Sequence, residues 1–144
     1  MLVYVHEEEF KHACWAAGTG ADSAVYLTDY LSLDKLNWRT FSDSNVELFQ
    51  GIDLILGPGH TPGLCMMMVR LEKDGNFLFT TDHFHVKENH EQRHPQGWLA
   101  RDHTAWVRTS QLVDRLTRIY NAKVVYGHDL EVARKYIDAQ EYYT

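Results

Sequence analysis

Three short segments place metal-ligating or proton-transferring side chains directly after an apolar run. The first is Gly57-Pro58-Gly59-His60-Thr61-Pro62-Gly63, the second is Phe77-Leu78-Phe79-Thr80-Thr81-Asp82, and the third is Val124-Val125-Tyr126-Gly127-His128. Imidazole and carboxylate groups are the ligands that zinc, manganese and iron accept in proteins. Each of these residues alone is typical of a turn or a cap. In combination, His60, Asp82 and His128 predict a metal site.

The residues before these side chains predict the strands that position them. Apolar runs at 52–56, 64–71 and 77–81 are separated by Gly, Asn and Asp, which is typical of short strands joined by turns. A further short strand is predicted at 123–126. Because active sites of α/β sheets gather at strand ends, we expect the three predicted ligands to lie together at one edge of a sheet.

The rest of the chain predicts a single α/β domain over residues 1–144. Helices are expected at 6–17, 103–120 and 130–139, where apolar residues recur at helical spacing. Additional strands are expected at 2–5, 38–42 and 46–49, whereas residues 86–102 are polar and predicted to be irregular. His6, His12 and His103 are interpreted as surface residues of the helices.

Composition limits the classes of partner. The net charge of -6 and the pI of about 5.8 argue against nucleic-acid binding, which depends on a basic face. No run approaches the roughly 20 apolar residues that span a bilayer, so no membrane association is expected. No basic-then-apolar leader precedes the first strand, and only two cysteines are present, which favours a reducing, cytoplasmic location.

The order of the three motifs, Gly-His60-Thr-Pro-Gly, Thr-Thr-Asp82 and Tyr-Gly-His128-Asp, resembles the second half of a metallo-β-lactamase-fold hydrolase. Among these hydrolases it most resembles the N-acyl-homoserine lactonases that quench bacterial quorum signals, from Val3 to about Tyr136. The resemblance implies the C-terminal half of an αββα sandwich, with a mixed sheet and flanking helices. It also implies two zinc ions, with His60 on the first, His128 on the second and Asp82 bridging them. The implied reaction opens a small-molecule lactone or ester by attack of a metal-bound hydroxide.

Two departures from the family leave alternatives open. The family motif His-x-His-x-Asp-His is absent, so we expect the chain to begin downstream of it. The alternative is a catalytically incomplete fragment that binds metal weakly, acts as an interaction module, or completes its site as a homodimer or with a partner chain. A glyoxalase II-like thioesterase is a second alternative.

The second departure is His85, which stands where family lactonases often carry a tyrosine that donates to the substrate carbonyl. His85 is therefore expected beside the substrate as a catalytic group, while the role of His83 stays open. Trp98 and Phe84 are expected to border a pocket for an acyl chain.

The stretch His90-Glu91-Gln92-Arg93-His94 matches the H-E-x-x-H motif of zinc proteases. That motif requires both histidines on one face of a helix, and Pro95 follows immediately, which prevents the usual continuation of the helix. We therefore interpret residues 90–94 as a solvated polar loop rather than a protease site.

Overall fold

The computed structural model describes residues 2–27, 35–137 and 142–144. The chain forms two compact units, Met1–Asp43 and Ser44–Thr144, each of which is described by itself. The prediction of one domain over 1–144 stays a prediction.

The first unit is a small β–α–β arrangement. Strand β1 (Leu2–His6) leads directly into helix α1 (Glu7–Thr19), and strand β2 (Asn37–Phe41) pairs with β1 in parallel. Three glutamates occupy the first turn of α1, where the positive end of the helix dipole stabilises negative charge. The helix and both strands were expected near these positions.

His6 differs from its predicted role. Its Nδ1 accepts a hydrogen bond of 3.2 Å from the Glu8 backbone N–H, so the imidazole caps the N-terminus of α1. His6 is buried, with 3% of its surface exposed, and the prediction that it lies on a helix surface is therefore wrong.

The second unit is built on one mixed sheet of five strands, which confirms the predicted α/β class. Its strands are β3 (Asn45–Phe49), β4 (Ile52–Leu56), β5 (Cys65–Leu71), β6 (Gly75–Phe79) and β7 (Lys123–Val125). They are adjacent in chain order, antiparallel from β3 to β6 and parallel between β6 and β7. The long connection from β6 to β7 is what a parallel pair requires.

That connection holds most of the helical structure of the second unit. It contains a 3-10 turn (Thr81–His83), helix α2 (Lys87–Glu91), a second 3-10 turn (Gly97–Leu99) and helix α3 (His103–Tyr120), and helix α4 (Leu130–Ile137) follows β7. Helix α3 has its predicted bounds. The prediction that residues 86–102 are irregular misses α2, and predicted helical positions 138 and 139 lie outside the described residues.

Helix α3 packs on one face of this sheet and forms the core. Trp106 and Val113 on its inner face are 2% and 0% exposed. They belong to one cluster with three buried strand residues, Met66, Met68 and Leu78. Full burial of such a side chain stabilises the fold by about 1.5–3 kcal/mol, so this contact fixes the helix against the strands.

The other face of the sheet is apolar and only partly covered. It borders a cavity of about 460 Å³ whose lining includes Met67, Phe79 and Val125 from the strands and Tyr136 from α4. Among the described residues, no helix is both long enough and apolar enough to cross a bilayer.

Candidate metal centre

The glycine-rich loop after β4, which carries His60, packs its Gly59 against helix α3. Gly59 has φ +141°, and a Cβ at this position would lie 2.6 Å from Cα of Trp106, so only glycine allows the approach. The loop is closed by backbone hydrogen bonds from Gly57 N to Leu64 O, 2.8 Å, and from Gly59 N to Thr61 O, 3.1 Å. His60 is consequently buried, with 7% of its surface exposed.

The turn after β6 presents Asp82. Thr80 N donates to Val125 O at 3.0 Å, which continues the pairing of β6 with β7. Thr81 then adopts φ +49°, a left-handed conformation that is uncommon for a residue with a branched side chain. Because the chain turns at this point, Asp82 leaves the sheet at the edge where β7 ends.

The segment after β7 brings His128 beside His85. Gly127 N donates to Phe84 O at 3.0 Å, and His128 N donates to His85 O at 2.8 Å. A Cβ on Gly127 would lie 2.3 Å from the carbonyl oxygen of Thr81, so glycine is required where the two segments touch. The imidazole rings of His85 and His128 end up 4.5 Å apart.

Three imidazoles converge on the carboxylate of Asp82. His128 Nε2 lies 2.8 Å and His85 Nε2 lies 4.0 Å from Oδ1 of Asp82, whereas His60 Nε2 lies 3.8 Å from Oδ2. The structure therefore brings together all three residues predicted from the motifs, and it adds His85 to them.

Asp82, His85 and His128 can hold one ion between them. One ligand atom from each of the three lies within 4.8 Å of the others. A nitrogen and oxygen set of this kind suits zinc, which takes three protein ligands in catalytic sites and leaves a fourth position for water or substrate. His60 stands at the second carboxylate oxygen, as the bridging arrangement implied by the family resemblance requires.

The state of His85 fits a metal ligand. Its Nε2 is buried and has no hydrogen-bond partner among the described residues, although it faces the carboxylate. Burial lowers the pKa of His85, and positive charge on His128 or His60 lowers it further, against the opposing effect of Asp82. The imidazole is therefore neutral near pH 7, and a bound cation would use the lone pair of a neutral ring and offset the charge of Asp82.

His83 and Phe84 point away from this site. His83 is fully buried in the core, where its Nε2 lies 3.1 Å from Ser110 Oγ. Burial, with smaller contributions from positive charge on His90 and His60, lowers the pKa of His83 to about 3. Phe84 is 0% exposed, so the prediction that it borders an acyl-chain pocket is wrong, whereas Trp98 is 73% exposed.

The H-E-x-x-H stretch does not form a two-histidine face. Helix α2 ends at Glu91, and His94 lies beyond it on the surface. His90 is not solvated as predicted: its Nε2 lies 3.0 Å from Asp114 Oδ1, its Nδ1 lies 3.2 Å from Tyr126 Oη, and only 17% of its side chain is exposed. His90 thus links α2 to α3 and to the segment after β7.

Two further polar side chains, which no motif identified, contact the backbone of the ligand-bearing loops. Gln96 Nε2 donates to the carbonyl oxygens of Asp82 and His83 at 2.9 and 2.8 Å. Arg101 Nη1 donates to the carbonyl oxygen of His60 at 3.3 Å. No sequence pattern identifies Gln96 or Arg101, because a polar residue in an irregular segment has the same local sequence whether or not it donates to a distant backbone group.

No family model matches the chain. The chain is 28% identical over 113 residues to an N-acyl homoserine lactonase of Bacillus cereus, covering 76% of this chain and 44% of that enzyme. It is also 28% identical over 133 residues to N-acyl homoserine lactonase AiiB of Agrobacterium fabrum, covering 88% of this chain and 48% of that enzyme.

Solved structures show the same fold. An N-acyl homoserine lactone hydrolase with the product N-hexanoyl-L-homoserine bound at its catalytic metal centre matches with a TM-score of 0.75 and 22% identity, over 94% of this chain and 50% of that one. The hydrolase AbOPH of the β-lactamase superfamily matches with a TM-score of 0.63 and 18% identity, over 91% of this chain and 48% of that one. The chain spans about half the length of the curated relatives it matches. It is thus similar in sequence to N-acyl homoserine lactonases over most of its length, and it has the mixed α/β fold of the metallo-β-lactamase-like hydrolases.

Proposed function

We propose that this chain carries a zinc-dependent hydrolase site that opens a small-molecule lactone or ester, with N-acyl homoserine lactones as the first substrate class to test. The observation that carries the proposal is the convergence of His60, His85 and His128 on the carboxylate of Asp82. The likeness to lactonases over 76% and 88% of this chain supports the substrate class.

The residues have distinct parts in holding metal. Asp82, His85 and His128 hold one ion, and His60 with the second oxygen of Asp82 offers part of a position for another. Bound zinc supplies two kinds of chemistry in such sites, since it lowers the pKa of water and polarises a substrate carbonyl. Asp82 is thereby both a ligand and the group that sets the spacing of the imidazoles.

The chain itself determines how a substrate reaches this centre. The side chains of His128 and Asp82 are 60% and 45% exposed, whereas that of His60 is 9% exposed. A substrate therefore approaches from the side of His128, and the loop that carries His60 forms the closed side.

His85 has two roles that exclude each other at one atom. A metal ligand uses the lone pair of Nε2, whereas a donor to the substrate carbonyl carries a proton on Nε2. We assign His85 to the metal, because its Nε2 is buried and faces the Asp82 carboxylate. A substrate carbonyl would have to displace that carboxylate to reach Nε2.

A second candidate function is a metal-binding module whose hydrolytic site takes further ligands from another chain, as a homodimer or with a partner chain. The observation that favours it is the length of the match, since the matched segment covers 44% and 48% of the two lactonases. The glyoxalase II-like thioesterase stays a prediction, since the same ligands would serve a thioester.

The test measures zinc content and lactone hydrolysis in the same samples. The metal-stripped chain is titrated with Zn²⁺ by calorimetry, and hydrolysis of N-hexanoyl homoserine lactone is followed by liquid chromatography. Asp82→Asn is compared with Asp43→Asn, which removes an exposed carboxylate outside the site. Stoichiometric zinc with turnover that only Asp82→Asn removes is the expected result. Zinc binding without turnover favours the module, and absence of stoichiometric zinc binding rejects both functions.

A further inference from the structure

We infer that Gln96 is a positioning residue, whose side-chain amide holds the turn that carries Asp82 in its ligating position. The inference rests on the proposed function for its purpose, but its geometry stands on hydrogen bonds that do not involve metal. Gln96 lies between helix α2 and the second 3-10 turn, in the segment that the sequence predicted to be irregular.

The side-chain amide of Gln96 donates hydrogen bonds to two consecutive backbone carbonyl groups. Its Nε2 donates to Asp82 O at 2.9 Å and to His83 O at 2.8 Å, so both N–H bonds of the amide are used. The orientation of the amide follows from its partners, because a reversed amide would place Oε1 against two carbonyl oxygens with no hydrogen between them. In the observed orientation Oε1 is buried and finds no partner within the described part of the chain, an arrangement that persists only when the donated bonds compensate for it.

The sheet contacts the start of this turn, because Thr81 Oγ1 donates to Cys65 O of β5 at 3.2 Å, and Gln96 adds hydrogen bonds at the next two residues. The sheet pairing of β6 ends at Thr80, and Thr81 has the left-handed φ of +49° that redirects the chain. Trp106 Nε1 also donates to His83 O, at 3.1 Å, so this carbonyl oxygen accepts from two side chains. The Asp82 carbonyl oxygen accepts its side-chain hydrogen bond from Gln96. Gln96 thus binds both peptide units that flank the Cα of His83, namely Asp82–His83 and His83–Phe84.

Holding this turn matters because several distances depend on it. The Asp82 carboxylate is the common neighbour of three imidazoles at 2.8, 3.8 and 4.0 Å. A small rotation of the turn changes all three distances at once, whereas metal sites tolerate deviations of only about 0.2 Å in ligand distance. Gln96 acts through the backbone of Asp82 and touches neither the carboxylate nor an ion.

Arg101 extends the same arrangement to the other ligand loop. Its guanidinium donates to His60 O at 3.3 Å, and the neighbouring Asp102 N donates to Gly59 O at 3.0 Å. The segment from Gln96 to Asp102 therefore contacts the backbone of both loops that face the Asp82 carboxylate.

The test compares two variants of Gln96 with a matched control. Gln96→Glu keeps the shape but puts an acceptor against two carbonyl oxygens, and Gln96→Met keeps the length without polar atoms. The control is Asn76→Asp: Asn76 Nδ2 donates to Tyr120 O at 2.6 Å, which is the same kind of amide-to-carbonyl bond but is not at the ligand cluster. Zinc dissociation constants are measured by competition with a chromophoric chelator, and thermal unfolding of each variant gives its stability.

The expected result separates positioning from general support of the fold. Gln96→Glu weakens zinc binding by about 10–100-fold, as loss of an outer partner does in other zinc sites, and Gln96→Met weakens it less. Asn76→Asp lowers Tm but leaves the zinc dissociation constant of the folded protein unchanged. If both Gln96 variants are folded and bind zinc like the wild type, or if Asn76→Asp weakens binding equally, the inference is wrong.

Hydrogen exchange of the metal-free protein tests the inference without zinc binding. The backbone N–H of His83 donates to Thr80 O at 3.0 Å within the turn, so its hydrogen exchange reports whether the turn opens. Either Gln96 variant is expected to speed this exchange while amides of β5 keep their rates. If wild-type protein binds no zinc, the proposed function fails and this exchange alone decides the inference. Unchanged exchange at His83 overturns it.

Discussion

Nε2 of His128 lies 2.8 Å from Oδ1 of Asp82, although the two residues are 46 positions apart in the chain. Both side chains are about half exposed, so their attraction is screened by water and adds little to stability. What brings them together is the backbone: β6 and β7 are parallel neighbours, and each residue follows the end of its strand. The fold therefore creates this contact, whereas the contact contributes little to the stability of the fold.

Asp82→Asn is accordingly expected to affect metal binding more than folding. Removal of a group that hydrogen-bonds a metal ligand weakens zinc binding by about 10–100-fold, so loss of the central carboxylate itself should weaken it by at least about 100-fold. Calorimetric titration measures the affinity, and urea unfolding should show a change below about 1 kcal/mol. Retention of wild-type zinc affinity would remove Asp82 from the site.

Gly127→Ala tests the close approach between the segment after β7 and the turn after β6. A Cβ there meets Thr81 O at 2.3 Å, and backbone cannot yield as a flexible side chain can. We expect a loss of about 1–3 kcal/mol in the free energy of unfolding, as for other overpacked positions, together with weaker zinc binding.

Gly75→Ala is the control for this substitution. Gly75 has φ +84°, but a Cβ there would meet no atom of the described residues within 4 Å. Alanine at this position should reduce stability by about 1–2 kcal/mol through backbone strain alone and leave zinc affinity unchanged. Equal zinc affinities for the two alanine variants would show that the Gly127–Thr81 contact does not shape the site.

His83 predicts a pH dependence of stability in the metal-free protein. Its pKa falls from an ordinary value of 6.5 to about 3 in the folded state, chiefly because of burial. Between about pH 6.5 and pH 3, His83 is therefore protonated in the unfolded chain and neutral in the folded chain. The free energy of unfolding consequently decreases as the pH falls from 6.5 towards 3. Urea unfolding between pH 7 and pH 4 should show a loss of about 1 kcal/mol per pH unit from this residue.

His83→Gln isolates that contribution, since glutamine can hydrogen-bond Ser110 but does not titrate in this range. The pH dependence of unfolding should be shallower in His83→Gln than in the wild type. Identical slopes for wild type and His83→Gln would contradict the burial of a neutral imidazole.

Asp102→Ala tests the start of helix α3. Asp102 Oδ1 accepts a hydrogen bond of 2.9 Å from Ala105 N, and its backbone N–H binds the loop that carries His60. Loss of the cap should reduce the free energy of unfolding by about 0.5–2 kcal/mol, whereas Asp102→Ser should keep most of it. Chemical denaturation of the three proteins measures the difference, and equal stability of Ala and Ser variants would show that the cap is not used.

Sequence reasoning identified the elements whose signals are local. Helix α3 and strand β4 have their predicted bounds, because apolar spacing and flanking turn residues repeat within each element. The motif residues His60, Asp82 and His128 were predicted as ligands from signals of the same local kind, since each comes a few residues after an apolar run.

Other features depend on contacts between distant segments, which leave no local pattern. The role of His83 was open from the sequence, and the 3-10 turn places His83 in the core while His85 lies in the ligand cluster. Phe84 looked like a pocket residue and is buried, and His6 looked exposed and caps a helix. For His83 the turn overrides the alternation that an extended chain would show, whereas His6 is held by a local hydrogen bond to Glu8 N.

The sequence by itself determined the α/β class, the helix that covers the sheet and the three motif residues, because apolar periodicity and turn chemistry act over a few neighbouring residues. Only the tertiary structure decided that His85 joins Asp82 and His128 within 4.8 Å, and that Gln96 binds the backbone of the turn. The physical reason is distance along the chain. A hydrogen bond between residues 14 or 46 positions apart depends on how strands and turns pack, and a residue's type does not record which distant carbonyl or carboxylate it will meet.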